Sequence, residues 1–209
     1  MGGVRANMAG TADTAEHIID ETERLRANVY ALLARFLARP PDAATLAEAA
    51  GWAGDDTDFG KAVSRLAKSA AGADPQTVKD EYAALFIGVG RGELLPYGSY
   101  YLTGFLNEKP LARVRQSLRA LGVERDPAVK DPEDHIAALL DVMVGLILGT
   151  FHGGSDLAAQ KRFFNDHIAP WADYFFKDLE EAKTADLYKA VGGVGRAFLA
   201  IEKAAFEMA

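Results

Sequence analysis

Apolar residues recur every three or four positions along almost the whole chain, and no run of alternating β-branched residues stands between turn signals. That spacing predicts an all-α fold. A chain of 209 residues fits one domain, and 49% hydrophobic against 25% charged residues provides for a packed core. The expectation is a single globular helical domain, a bundle over residues 14–209, preceded by a flexible tail over 1–13.

Local signals place the elements. The first long helix is predicted from Thr14 to Ala38, with Asp13 and Glu16 as a capping box and Pro40-Pro41 as its stop. A short helix follows Asp42, and another over Thr57–Ala70 buries Phe59, Val63 and Leu66. Asp74-Pro75 and Asp131-Pro132 each look like a capping carboxylate followed by a proline at the first helical position. The second of these starts a helix that runs to Gly149. Between them, Gly88–Leu95 reads as irregular, Pro96–Tyr101 follows, and then a helix over Pro110–Leu121. Ser155 is placed to cap a later helix that Pro170 kinks, and the last helix starts near Thr184. Gly192, Gly193 and Gly195 inside that last helix suggest close approach of a neighbouring helix.

Composition and spacing remove several chemistries. Without cysteine there is no disulfide, thiol nucleophile or thiolate-held metal. His17, His135, His152 and His167 form no ligand pair on one helix face, so neither a metal nor another cofactor is expected. Gly88-Val89-Gly90-Arg91-Gly92 lacks the preceding strand and the Lys-Ser/Thr of a phosphate loop. A net charge of −7 argues against holding nucleic acid through its phosphates and favours a basic peptide. Met1–Asp13 lacks the pattern of a secretory signal. Ile136–Leu148, interrupted by Asp141, is too short for an integral membrane segment.

Two stretches carry candidate chemistry. With Asp131 as N-cap, Glu133 and Asp134 would occupy the first helical turn, where the dipole and exposed N–H groups favour anions. Asp141, seven residues after Asp134, would extend a row of negative charge along one face. His135 reads either as a structural residue of the first turn or as part of a binding wall. Tyr97, Tyr100 and Tyr101 follow Pro96 in a loop, where they serve either to start a helix or to supply contact area. A hydrolase built on Asp134 and His135 lacks a nucleophile, base and orienting group at usable spacing.

At these residues the chain resembles the TorD/DmsD/NarJ-like family of redox-enzyme maturation chaperones. Glu81–Gly88 resembles its Tyr-x-x-Leu-Phe-x-Gly segment, and Leu95–Tyr101 its Pro-aromatic-x-Ser loop. Pro132–Met143 resembles its signature helix and Phe163–Trp171 its His-x-x-Pro-Trp segment. Gly98 and Leu139 stand where the commoner pattern has Glu, a variation similar to the dimethyl-sulfoxide-reductase chaperone branch.

The resemblance implies a cytoplasmic, non-enzymatic, all-helical protein. Its partner would be the twin-arginine signal peptide of a molybdenum-cofactor oxidoreductase precursor, a formate dehydrogenase or a dimethyl-sulfoxide-type reductase, held back from export until cofactor insertion. By the same resemblance, Pro96, Tyr97 and Ser99 would contact the peptide together with Pro132, Asp134 and His135, and the charge and aromatic pattern adds Tyr101, Glu133 and Asp141 to that expected site. His167, Pro170 and Trp171 would be structural. The expected assembly is a monomer or a dimer that exchanges elements about Gly88–Gly92. The alternative is a helical protein that binds a small molecule or nucleotide and assists cofactor delivery.

Overall fold

In a computed structural model the described residues are 4–6, 20–125, 129–151 and 156–209. Ten α-helices and one pair of short strands are found among them. They divide into two compact units, each drawn from separate stretches of chain: residues 1–34 with 97–170, and 35–96 with 171–209.

The first unit takes most of α1 (Glu21–Ala38), then α5 (Gly98–Thr103), α6 (Lys109–Ala120), α7 (Ile136–Ile147) and α8 (Leu157–His167). Its most apolar helix is α7, with Ile136, Leu139, Leu140, Met143, Leu146 and Ile147 all buried. Helix α8 packs against α7 and α6. Between α6 and α8, Ser117 Oγ meets His167 Nε2 at 2.8 Å, and burial holds the imidazole below its ordinary pKa. His167 is thereby a packing residue.

The segment read as a flexible tail contains a strand, β1 (Val4–Ala6), antiparallel to β2 (Val123–Arg125) with Val4 opposite Arg125. Three residues are too few for an alternating pattern to register in sequence. The capping box at Asp13 and Glu16 lies outside the described residues, as do Ser155 and His152. Helix α8 is capped by Asp156, whose side chain accepts from Ala159 N at 2.7 Å.

The second unit holds the end of α1, then α2 (Ala43–Ala50), α3 (Asp58–Ala71), α4 (Pro75–Tyr82), a π-helical turn (Ala83–Ile87), α9 (Ala172–Glu181) and α10 (Leu187–Met208). Helix α10 packs on α9 and α3. The glycines of α10 are where that packing is tightest, since a Cβ on Gly195 would stand 2.3 Å from the Phe176 ring. Pro170 breaks the predicted kinked helix into α8 and α9. Glu81, at the end of α4, caps α10 from outside: Oε1 accepts from Asp186 N at 2.7 Å and Tyr188 N at 2.8 Å. Deeper in, the Tyr188 and Tyr82 hydroxyls donate to the carbonyls of Phe36 and Leu37, in the last turn of α1, where carbonyls lack an intrahelical partner.

Candidate functional site

In the first unit the chain entering α5 is stitched to the turn preceding α7. Tyr97 and His135 form an antiparallel β-bridge, and Gly98 N donates to Asp134 O at 2.9 Å. Ser99 N donates to Asp134 Oδ2 at 2.7 Å. Tyr97 precedes α5 in extended conformation and gives that helix no side-chain cap of its own. The Asp134 carboxylate therefore supplies the missing cap from a distant stretch of chain, 35 residues on.

The outer side of the same corner is also tied. Tyr97 Oη donates to Asp131 Oδ1 at 2.8 Å, and its ring lies edge-on to His135 with centroids 5.1 Å apart. Glu133 Oε2 accepts from Arg115 of α6 through both Nε and Nη2 at 2.9 Å. Asp131 is exposed, Tyr97, Pro132 and Glu133 are partly so, and Ser99, Asp134 and His135 are buried.

The start of α7 departs from the sequence expectation. Helix α7 begins at Ile136, and its N-cap is His135, whose Nδ1 accepts from Ala137 N at 3.1 Å. Asp131 is not the N-cap of α7, and its Oδ1 accepts the tyrosine hydroxyl. Residues 132–135 form a turn closed by His135 N donating to Pro132 O at 3.0 Å, so Glu133 and Asp134 lie outside the helix. The other Asp-Pro step behaves as expected, with Asp74 Oδ2 accepting from Thr77 N at 2.8 Å to open α4. Partners from elsewhere in the fold decide between the two outcomes.

With Asp134 in the turn, the predicted row of charge from Asp134 to Asp141 does not form. Asp141 sits within α7, half-buried, and no hydrogen bond among the described residues joins it to the corner. Burial raises its carboxyl from 3.8 to about 6. Tyr101 faces Tyr100 edge-on within α5, and Pro96 is buried immediately before Tyr97.

Electrostatics divide the corner into an inner and an outer part. Burial lowers the His135 pKa from 6.5 to about 4, against the pull of Asp131 and Asp134. A neutral ring is what its hydrogen bond requires, because Nδ1 accepts and so carries no proton. Asp134, 1% exposed, keeps Oδ1 without a protein partner, as does the Ser99 hydroxyl, 0% exposed. Asp134 thus builds the corner, while Asp131 and Glu133 face its accessible side. Sequence reasoning offered a helix start after Pro96-Tyr97 without delimiting α5, although Gly98 and Gly104 bracket it, and missed Arg115, whose long-range pairing has no local signature. No cluster among the described residues could hold a metal ion, and none of the described helices is long and apolar enough to cross a membrane.

Residues 53–177, more than half of the chain, match the model of the family described as nitrate reductase delta subunit. The chain is 31% identical over 130 residues to the chaperone protein TorD of Vibrio cholerae, an alignment spanning 59% of each protein. It is 30% identical over 130 residues to the chaperone protein TorD of Aliivibrio fischeri, spanning 58% of this chain and 60% of that one. The chain therefore aligns with about three fifths of the length of these relatives. A crystallised Archaeoglobus fulgidus protein assigned to redox enzyme maturation shares the fold, with a TM-score of 0.51 at 19% identity over 95% of this chain and 99% of that one. The family match, over more than half of its residues, shows that this chain belongs to the nitrate reductase delta subunit family.

Proposed function

We propose that this chain is a redox-enzyme maturation chaperone of the cytoplasm. It binds the twin-arginine signal peptide of a molybdenum-cofactor oxidoreductase precursor and assists cofactor insertion before export. The observation that carries the reading is the junction itself: Tyr97–Ser99 and Asp131–His135, distant in sequence, meet in one corner with carboxylates on its accessible side. The relatives are named chaperones, and the net charge of −7 suits a basic ligand.

A twin-arginine leader presents planar guanidinium groups that match carboxylates two bonds at a time. Asp131 is the exposed carboxylate placed to receive one, with the Tyr97 ring as a neighbouring face and Glu133, held by Arg115, beside it. Asp134 and His135 act from behind, holding the turn against α5. Titration calorimetry with a synthetic leader peptide and its Lys-Lys counterpart tests the reading. Saturable binding of the first, weakened at least about tenfold in the second, is expected because a lysine cannot make the bidentate contact. No binding, or equal binding of both peptides, would refute it.

A further inference from the structure

The second unit contains an open groove of about 630 Å³ between α3 and α10, beside the end of α9. Its lining brings together three cations, Arg65 and Lys68 of α3 and Lys189 of α10, with two carboxylates, Glu180 and Asp186. The three cations are exposed, and none of them makes an ion pair among the described residues. Glu180 is already engaged, its Oε2 accepting from Arg196 Nη1 at 2.9 Å, so positive charge is in excess in the groove. We propose that this groove docks an acidic, extended segment of a partner polypeptide, at a site separate from the corner that carries Asp131 and Asp134.

Charge decides the sign of the occupant. In a chain of net charge −7, three unpaired cations around one groove attract carboxylates and repel an arginine-bearing leader. The mixed lining decides its class. An ionised phosphate offers acceptors alone and would be set against Glu180 and Asp186, whereas a polypeptide brings carboxylates for the cations and backbone N–H donors for the two acids. An extended segment presents alternate side chains on one side about 7 Å apart, a spacing that the long side chains of Arg65, Lys68 and Lys189 span.

The glycines of α10 add a separate observation. A Cβ on Gly192 would stand 2.9 Å from the Phe176 carbonyl oxygen and one on Gly195 2.3 Å from the Phe176 ring, so packing on α9 accounts for both. Gly193 is different: a Cβ there would meet one atom outside its own helix, Glu180 Oε1 at 3.3 Å, at the end of a flexible side chain. Glycine inside a helix is costly relative to alanine, and helix packing does not require it at this position. Gly193 lines the groove next to Ala190, where the lack of long side chains lets the backbone of a bound segment come close.

The test is fluorescence anisotropy on the full chain with a labelled synthetic peptide of alternating Asp and Ala and with its Asn/Ala counterpart. Arg65→Gln combined with Lys68→Gln removes two cations, and Gly193→Leu fills the groove while leaving every charge in place. Lys203→Gln, an exposed change about 21 Å further along α10 from Lys189, is the control. All are compared after circular dichroism has shown unchanged folding. Saturable binding of the Asp/Ala peptide alone is expected, weakened at least about fivefold in the double variant and in Gly193→Leu and unchanged in Lys203→Gln. No saturable binding by the parent chain, unchanged affinity in either groove variant, or an equal loss in Lys203→Gln overturns the proposal. Pyrophosphate serves as competitor, and displacement of the peptide below the peptide's own Kd would assign the groove to a phosphate-bearing ligand and overturn it as well. Calorimetry with the twin-arginine peptide should give the same affinity for the parent chain and every variant, so the fate of the groove and that of the corner are read separately.

Discussion

Asp134→Ala is the substitution that separates a carboxylate that builds the corner from one that merely lines it. The side chain removed accepts from Ser99 N at 2.7 Å and is 1% exposed. Losing a charge-assisted hydrogen bond to a buried N–H costs about 1.5–3 kcal/mol. Against this stands Oδ1, buried without a partner, whose removal returns part of that cost. A net loss of about 1–2 kcal/mol follows, felt first by α5, which has only six residues and no other side-chain cap. Amide hydrogen exchange reads this locally, and protection over 98–103 should fall roughly 5–30-fold. Asp134→Asn keeps an acceptor for Ser99 N and should lose less than about 1 kcal/mol. Unchanged exchange in α5 for Asp134→Ala, or an equal effect of the two substitutions, would refute the capping role.

Asp141→Asn should stabilise the protein at neutral pH. Its folded pKa is raised from 3.8 to about 6, so the carboxyl's contribution is favourable below 3.8 and lost as pH rises through about 6, a span worth up to about 3 kcal/mol. The gain from the substitution should therefore vanish near pH 4, and a gain that persists there in a thermal melt would contradict it. His135 acts with the opposite sign: its folded pKa lies near 4 against 6.5, so its contribution is full above 6.5 and falls away as pH drops towards 4. In Asp141→Asn the stability should fall over that window more steeply than in the parent chain. Glu81→Ala, which strips three N-terminal amides of α10 of their acceptor, should cost about 1–3 kcal/mol in a urea melt followed by tryptophan fluorescence. Trp52 and Trp171 both belong to that unit, and an unchanged midpoint would refute the cap. Arg115→Ala should free Glu133 and tighten a twin-arginine peptide severalfold in calorimetry; weaker binding would mean that the ion pair must stay intact.

Helical periodicity was sufficient for the elements that bury a stripe, including α3 with its Thr57 cap and α4 with its Asp74-Pro75 start. It failed where a side chain leaves its own neighbourhood. Asp131-Pro132 carries the same local signal as Asp74-Pro75, yet its carboxylate goes to Tyr97 and a histidine takes over the cap. Asp134 reads in sequence as an acid available to a ligand and Glu81 carries no local signal of its own, yet both close the ends of helices that start far along the chain. Nothing local records such a partner, because the groups capped lie 105 and 35 residues away. The corner was legible as two separate stretches, and the stitching between them was not.

The central claim is that the corner joining α5 to the turn before α7 receives an arginine-bearing leader. Hydrogen exchange of the full chain with and without the synthetic twin-arginine peptide measures this most directly. Slower exchange confined to 97–106 and 129–137 is the predicted result, absent with the Lys-Lys peptide. Protection that appears instead in residues 35–95 or 171–209, with the corner unchanged, would contradict it.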